Sequence, residues 1–192
     1  MICQVSTDDL HTNLDRLIGL VHHRWNILVI AELHRLSGAK FITLIHQLDV
    51  SRGSLSASLE NLIELGFVRR NTGHGHPMRP EYLLTTQGIA IGADCLDLVQ
   101  MARRGDAVDL AFRKWTLPLL VAIGERKARF NELRSTLGDA TPRAIAIGLK
   151  ALLKEGWVAR TLVDDFPPTS AYDLRPKGRR ILACMDSLYG AG

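Results

Sequence analysis

Side chains that could do chemistry are few in this sequence, and most fall short of a catalytic arrangement. His22-His23 and His74-Gly75-His76 bring imidazoles close along the chain. No cysteine or carboxylate stands at metal-ligand spacing beside either pair, so no metal is expected there. Cys3, Cys95 and Cys184 are too widely spaced for a disulfide framework or a zinc pattern. They read as buried thiols in a reducing cytoplasm. A nucleophile elbow, a phosphate-cradling glycine loop and a paired-carboxylate motif are all missing. The sequence therefore predicts a protein that is not an enzyme and takes no cofactor. What remains is a set of arginines and hydroxyl residues at helix starts, and their chemistry is recognition. A guanidinium can make paired hydrogen bonds to the major-groove edge of guanine. Arg143 has that capacity, with Thr141, Ala144 and Ile147 beside it. Arg52 is the matching candidate, among Ser51, Ser54, Ser56 and Ser58, whose hydroxyls accept several bases. The competing reading is that both arginines solvate a helix end or pair with Asp49 and Asp139.

The elements that must hold these residues are written twice. Residues 141–155 read as a helix, with Thr141 as its cap and Pro142 at the first position. Ile145, Leu149, Leu152 and Leu153 give it one buried face. Gly156 stops it. Strands are expected from Trp157 onward and again over 171–174, with Pro167-Pro168 in the loop between. Shifted by 90 residues, Ser51 falls on Thr141, Leu59 on Leu149, Gly66 on Gly156, Tyr82 on Tyr172 and Gly88 on Gly178. Trp25 and Trp115 obey the same shift, whereas Phe41 meets Phe130 at a shift of 89. The repeat length is that of a domain, so the chain reads as a duplication and not as a solenoid. A short helix, a turn, a recognition helix and a two-stranded wing make each copy a winged helix-turn-helix. The fold class is mainly α with small β-wings. The boundaries expected are 1–104 and 105–192, with Arg103-Arg104-Gly105-Asp106 as the link.

In chain order, a helix is expected over 8–34, a short one over 40–48 and the first recognition helix over 51–65. Wing strands follow over 67–70 and 81–84, then a broadly apolar helix over 85–104. The second copy resumes as helix over 106–114, with a new helix or a kink near Pro118. Residues 126–129 read as a basic turn. A second short helix is marked by Phe130, Leu133 and Leu137, and a terminal helix by 175–188. The matched aromatic residues are core positions. Net charge is +4 over 192 residues, and it is uneven. Residues 1–95 carry 8 Lys+Arg against 9 Asp+Glu, and residues 96–192 carry 16 against 11. The second copy should therefore carry more of any phosphate binding. No apolar run is long enough to span a membrane, and the start does not read as a secretory signal.

Several ordered stretches of the second copy resemble the HxlR family of bacterial winged-helix regulators. They are R-K-W-T-L-P-L-L, R-F-N-E-L-R, T-P-R-A-I-A-I-G-L-K-A-L-L-K-E-G-W-V and F-P-P-T-S-A-Y-D-L-R-P-K-G-R. The first copy is similar through R-W-N-I-L-V-I-A-E-L and Gly66-Phe67-Val68, and it also resembles a MarR-like winged helix. The resemblance implies DNA binding, transcription control and assembly through terminal helices. Family members are usually homodimers, so two fused copies imply a pseudo-dimer within one chain. Some members sense oxidants through a cysteine shortly before the tryptophan. Trp115 has no such cysteine, so that role is not carried over.

The expected partner is double-stranded DNA, with the recognition helices in the major groove. Wing residues Arg69, Arg70, His74, His76 and Arg79 would reach the minor groove or backbone. Arg126, Lys127 and Arg129 precede the second short helix, whose start would suit a phosphate. Arg160, Lys177, Arg179 and Arg180 would add backbone contacts, while Asp164-Asp165 would repel phosphate. A second reading makes the near-neutral first copy a contact for RNA polymerase or another transcription protein, with only the second on DNA. A third puts a ligand pocket between the copies, lined by the apolar helix that links them. Either a monomeric pseudo-dimer or a homodimer fits, and the expected location is the cytoplasm, at the nucleoid.

Overall fold

A computed structural model describes residues 7–71, 81–125, 128–163, 169–185 and 188. The first half runs α1 (Thr7–Leu20), α2 (Asn26–Leu36), α3 (Phe41–Leu48), α4 (Arg52–Glu64), β1 (Val68–Arg70), β2 (Tyr82–Leu84) and α5 (Thr86–Arg104). The second runs α6 (Val108–Ala111), α7 (Thr116–Glu125), β3 (Ala128–Arg129), α8 (Phe130–Thr136), α9 (Pro142–Lys154), β4 (Val158–Val163), β5 (Thr169–Leu174) and α10 (Pro176–Ala183). This is a mainly helical molecule with two small antiparallel ribbons, and each half is a winged helix-turn-helix.

The repeat seen in the sequence is a repeat of bonds. Ser51 caps α4 by accepting from the Ser54 backbone N–H at 3.2 Å, and Thr141 caps α9 by accepting from Ala144 at 3.2 Å. Each satisfies an amide that the first helical turn leaves over. After each helix a glycine takes a left-handed conformation, Gly66 at φ 77° and Gly156 at φ 69°. The chain then turns into a wing strand. Val68 pairs with Leu84 and Arg70 with Tyr82. Val158 pairs with Leu174 and Arg160 with Tyr172, so the ribbon register also repeats.

The inner faces meet in one continuous core that includes both halves. Leu55, Leu59 and Leu62 anchor α4, and Ile145, Leu149 and Leu152 anchor α9. Helix α5 lies against α2, and α10 lies against α7 and α5. The first-half helix α1 crosses over to pack on α7.

Five expectations need correction. The helix expected over 8–34 is two helices, α1 and α2. The Asn26 side-chain amide donates to the Leu20 carbonyl at 2.8 Å and to Asn61 Oδ1 at 2.7 Å. It thereby satisfies the end of α1 while fixing the start of α2 to α4. Apolar periodicity continues across the break because both helices bury the same residue types. The helix expected over 106–114 is only the four-residue α6. Residues 128–129 are not a turn but strand β3, with Ala128 opposite Tyr172 and Arg129 opposite Ala171. In the first half the same contact is a single bridge between Ala39 and Tyr82. The terminal helix α10 ends at Ala183, and Cys184 and Met185 form a turn. The strand expected over 171–174 starts two residues earlier, because Val163 pairs with Thr169.

Candidate nucleic-acid interface

Each recognition helix is held by its inner face and presents its first turn to solvent. On α9, Thr141, Pro142 and Arg143 are exposed, Ala144 is half-buried and Ile147 is 54% exposed. On α4, Ser51, Arg52, Gly53 and Ser54 are exposed and Ser56 is half-buried. Among the described residues, no hydrogen bond or ion pair holds Arg52 or Arg143, so neither pairs with Asp49 or Asp139. Asp49 instead forms the turn before α4, with a left-handed φ of 48°. The two arginines are not equivalent, however. The 90-residue shift sets Arg52 on Pro142 and Gly53 on Arg143. One residue is roughly 100° around a helix axis, so the two guanidiniums leave their helices in different directions.

The serines of α4 differ among themselves. The Ser51 hydroxyl donates to Ser54 Oγ at 2.9 Å, so the cap is already engaged. Ser58 is fully buried, with its hydroxyl unpartnered among the described residues, so it faces the core and does not read bases. The matching Gly148 is just as confined, since a Cβ there would lie 2.5 Å from Leu119 Cδ1.

The wing arginines divide between two faces. Arg70 donates to the Tyr82 hydroxyl at 3.0 Å and stacks 5.5 Å from its ring, and this hydrogen bond raises its pKa. Arg69 stands on the opposite side of β1, where it lines a hollow with His34, Ser37 and Ile89. Arg160 donates its Nε–H to Ser170 Oγ at 2.8 Å. His74, His76, Arg79, Arg126 and Lys127, with Asp164 and Asp165, lie outside the described residues.

Around α8 and α9 the structure brings several predicted residues together. Arg129 and Arg160 line one hollow of about 570 Å³ between the start of α8 and β5. The Arg129 backbone N–H there donates to Glu132 Oε2 at 2.8 Å. The chain's own carboxylate thus occupies the amide that was expected to suit a phosphate, and a phosphate must displace Glu132 to use it. An open hollow of about 700 Å³ over the helix-turn-helix joins Thr141 to Asn131 and Arg134. Sequence reasoning missed these last two as candidates. Their signal was the i, i+3 spacing on the side of α8 away from buried Leu133. Lys177 is grouped elsewhere, beside Arg104 and Arg180 where the halves meet.

Cys3 lies outside the described residues. Cys95 is fully buried, and burial, reinforced by Asp94, pushes its thiol pKa far up. Such a thiol is not a nucleophile at neutral pH. Cys184 Sγ lies 4.0 Å from Met101 Sδ. His22 and His23 meet edge to face at 5.0 Å, and no group of three metal-ligating side chains occurs among the described residues. No helix of the described residues is long and apolar enough to cross a membrane.

A short helix, a tight turn, a capped helix with a solvent-facing start and an antiparallel ribbon define a winged helix-turn-helix protein, and here the unit is built twice. The chain belongs to the HxlR-like helix-turn-helix family, whose pattern it matches over residues 20–105 and again over 110–192. It is similar to the HTH-type transcriptional regulator YtfH of Escherichia coli K12, with 32% identity over 68 residues, 35% of this chain and 54% of that one. An HTH-type transcriptional regulator of Methanothermobacter thermautotrophicus is 28% identical over 75 residues, 39% of this chain and 57% of that one. The HTH-type transcriptional regulator YvaP of Bacillus subtilis is 26% identical over 82 residues, 43% of this chain and 76% of that one. The chain spans about half the length of the first of these relatives. A solved MarR-family regulator from Porphyromonas gingivalis W83 is 25% identical, with a TM-score of 0.41, over 43% of this chain and 81% of that one.

Proposed function

We propose that this chain is a sequence-specific, double-stranded-DNA-binding transcriptional regulator. Residues 1–104 and 105–192 form two winged helices that act as a pseudo-dimer. The observation that carries the reading is the start of α9. There an exposed guanidinium, unpaired among the described residues, stands on a capped helix whose inner face is locked in the core. The locked helix fixes where that side chain starts, and its free guanidinium can make the paired hydrogen bonds to a base edge that carry sequence readout. Arg143 is the leading base reader, with Ile147 offering an apolar contact to a thymine methyl. Arg52 reads from α4 at its own angle, with Ser54 and Ser56 beside it. Arg129, Arg134 and Arg160 serve the backbone. Activity as an enzyme has no part in this reading, and the nucleoid is where such a protein works.

A second reading is favoured by the charge balance. The second half carries the excess of cations, and it also holds the hollow that joins Arg129 to Arg160. On this reading only α9 reads DNA, and the first half contacts RNA polymerase or another transcription protein.

Selection from random duplex DNA with the full-length chain separates the two. Two enriched half-sites about one helical turn apart are expected for the pseudo-dimer. One short motif favours the second reading. No enrichment, with retention that vanishes as salt rises, overturns sequence-specific binding altogether. Arg143→Ala is expected to cost about 1–3 kcal/mol on the selected site and to relax one base preference. Unchanged selectivity in that variant removes Arg143 from the interface.

A further inference from the structure

We propose that the hollow where the two halves meet binds a small carboxylate with an apolar body. The hollow measures about 330 Å³, at the lower end of the roughly 300–1,000 Å³ typical of small-molecule sites. Part of its wall is apolar. Ala107 and Ile181 are buried, and Trp157 is only 4% exposed. Three cations stand with them, Arg104 from the end of α5 and Lys177 and Arg180 from α10. Among the described residues a single carboxylate, Glu155, faces the same space. Among the described residues none of the three cations is in an ion pair, and Arg104 has only a long 3.4 Å bond to Gln100.

This composition selects a class of ligand. An apolar body loses its water against Trp157 and Ile181, while a carboxylate takes charge-assisted, paired hydrogen bonds from a guanidinium. Free phosphate leaves the apolar wall unused, and a neutral hydrocarbon leaves the cations unused. The walls also come from both halves. Arg104 ends the long helix of the first, Lys177 and Arg180 lie on the last helix of the second, and Glu155 caps the far end of α9. An occupant therefore favours one arrangement of α5, α9 and α10. The site itself does not depend on DNA binding. Its regulatory consequence, a change in DNA affinity on occupancy, rests on the reading above and is a coupling between two sites.

The probe is 2-naphthoate, titrated calorimetrically into the full-length protein without DNA. Saturable binding at one site per chain is expected. Arg180→Gln is expected to weaken it roughly tenfold, as loss of a charge-assisted bond does. Arg179→Gln removes the same charge from the same helix but outside the hollow, and it should leave affinity unchanged. The neutral isostere 2-naphthamide should bind at least about tenfold more weakly. The proposal is overturned by no saturable binding up to millimolar naphthoate, or by R179Q costing as much as R180Q. Displacement of naphthoate by an equal concentration of inorganic phosphate overturns it as well, since the site would then read charge alone. DNA affinity is measured separately, with and without naphthoate. An unchanged affinity removes the regulatory consequence and leaves the site. Absence of DNA binding defeats the earlier reading and leaves the titration untouched.

Discussion

At the scale of single residues, the two halves solve the same packing problem with opposite choices. The contact between the second helix and the wing-following helix leaves room for one large side chain. In the first half that side chain is His34, on α2, and a Cβ on Gly92 would collide with it. In the second half it is Leu182, on α10, and a Cβ on Gly124 would collide with that. The 90-residue shift carries His34 onto Gly124 and Gly92 onto Leu182, so bulk and glycine have changed places. Gly92→Leu is therefore expected to destabilise by about 1–3 kcal/mol through overpacking. Adding His34→Gly, which copies the second half, should recover at least about 1 kcal/mol of that in a double-mutant cycle followed by chemical denaturation. Strict additivity would mean that the two positions do not share one space. Gly88 and Gly178 behave differently, since a Cβ at either would strike a backbone carbonyl, of Phe67 and Trp157 respectively. That carbonyl cannot rotate away. It accepts from the Thr85 backbone at 3.0 Å in one half and from Arg175 at 2.9 Å in the other.

At the scale of elements, the recognition helices depend on their first turns. Thr141→Ala removes the α9 cap and is expected to lower stability by about 1 kcal/mol. Because the same turn carries Arg143, DNA affinity should fall further than the stability loss explains. Equal loss from removing a cap outside the interface, such as Thr85→Ala at the start of α5, would show that the effect is global. The junction of α1 and α2 depends on Asn26, which is fully buried. Asn26→Leu leaves the Leu20 carbonyl and the Asn61 side chain without their donor, and should cost about 1–3 kcal/mol. A variant as stable as the parent would mean that water replaces the lost bonds.

At the scale of the whole molecule, the halves are joined by more than the covalent link. Helix α1 packs on α7, and Arg24 pairs with Asp109 at 2.8 Å. Both side chains of that pair are largely exposed, so it contributes little, about 0–1 kcal/mol. The same seam brings Lys114 near His22, an exposed side chain whose pKa is lowered by desolvation, then by Lys114, then by His23. A histidine held below its unfolded value binds its proton less readily in the folded state. Its contribution is present above the unfolded pKa of 6.5 and is lost as pH falls through the lower folded value. His22→Gln should thus flatten the fall in stability from pH 7 towards pH 5, measured by denaturant midpoints. An identical pH profile in the variant would place the sensitivity elsewhere. Cys95 reports on the same shared core. It should resist alkylation in the native protein and react once the core opens, whereas reaction at the rate of a free thiol would contradict its burial.

Much of this molecule was legible in the sequence because its signals are local. Caps at Ser51 and Thr141, glycines at 66 and 156 and the apolar faces of α4 and α9 act within a few residues of one another. The 90-residue shift made each signal count twice. Features that depend on distant groups were decided only by the tertiary structure. The break between α1 and α2 is set by a side chain bonded to Asn61, 35 residues away, and no periodicity encodes that partner. Strand β3 exists because β5 returns beside it, so two residues that read as a basic turn become part of a sheet. Ser58 belongs to the set of hydroxyls on α4, and only its burial separates it from Ser54. The arginines near the second wing were legible as charge but not as arrangement. Folding turned Arg129 and Arg160 towards one hollow and Lys177 towards another. Secondary structure and charge follow from neighbours along the chain, whereas a site requires neighbours in space, and these are fixed only when the helices pack.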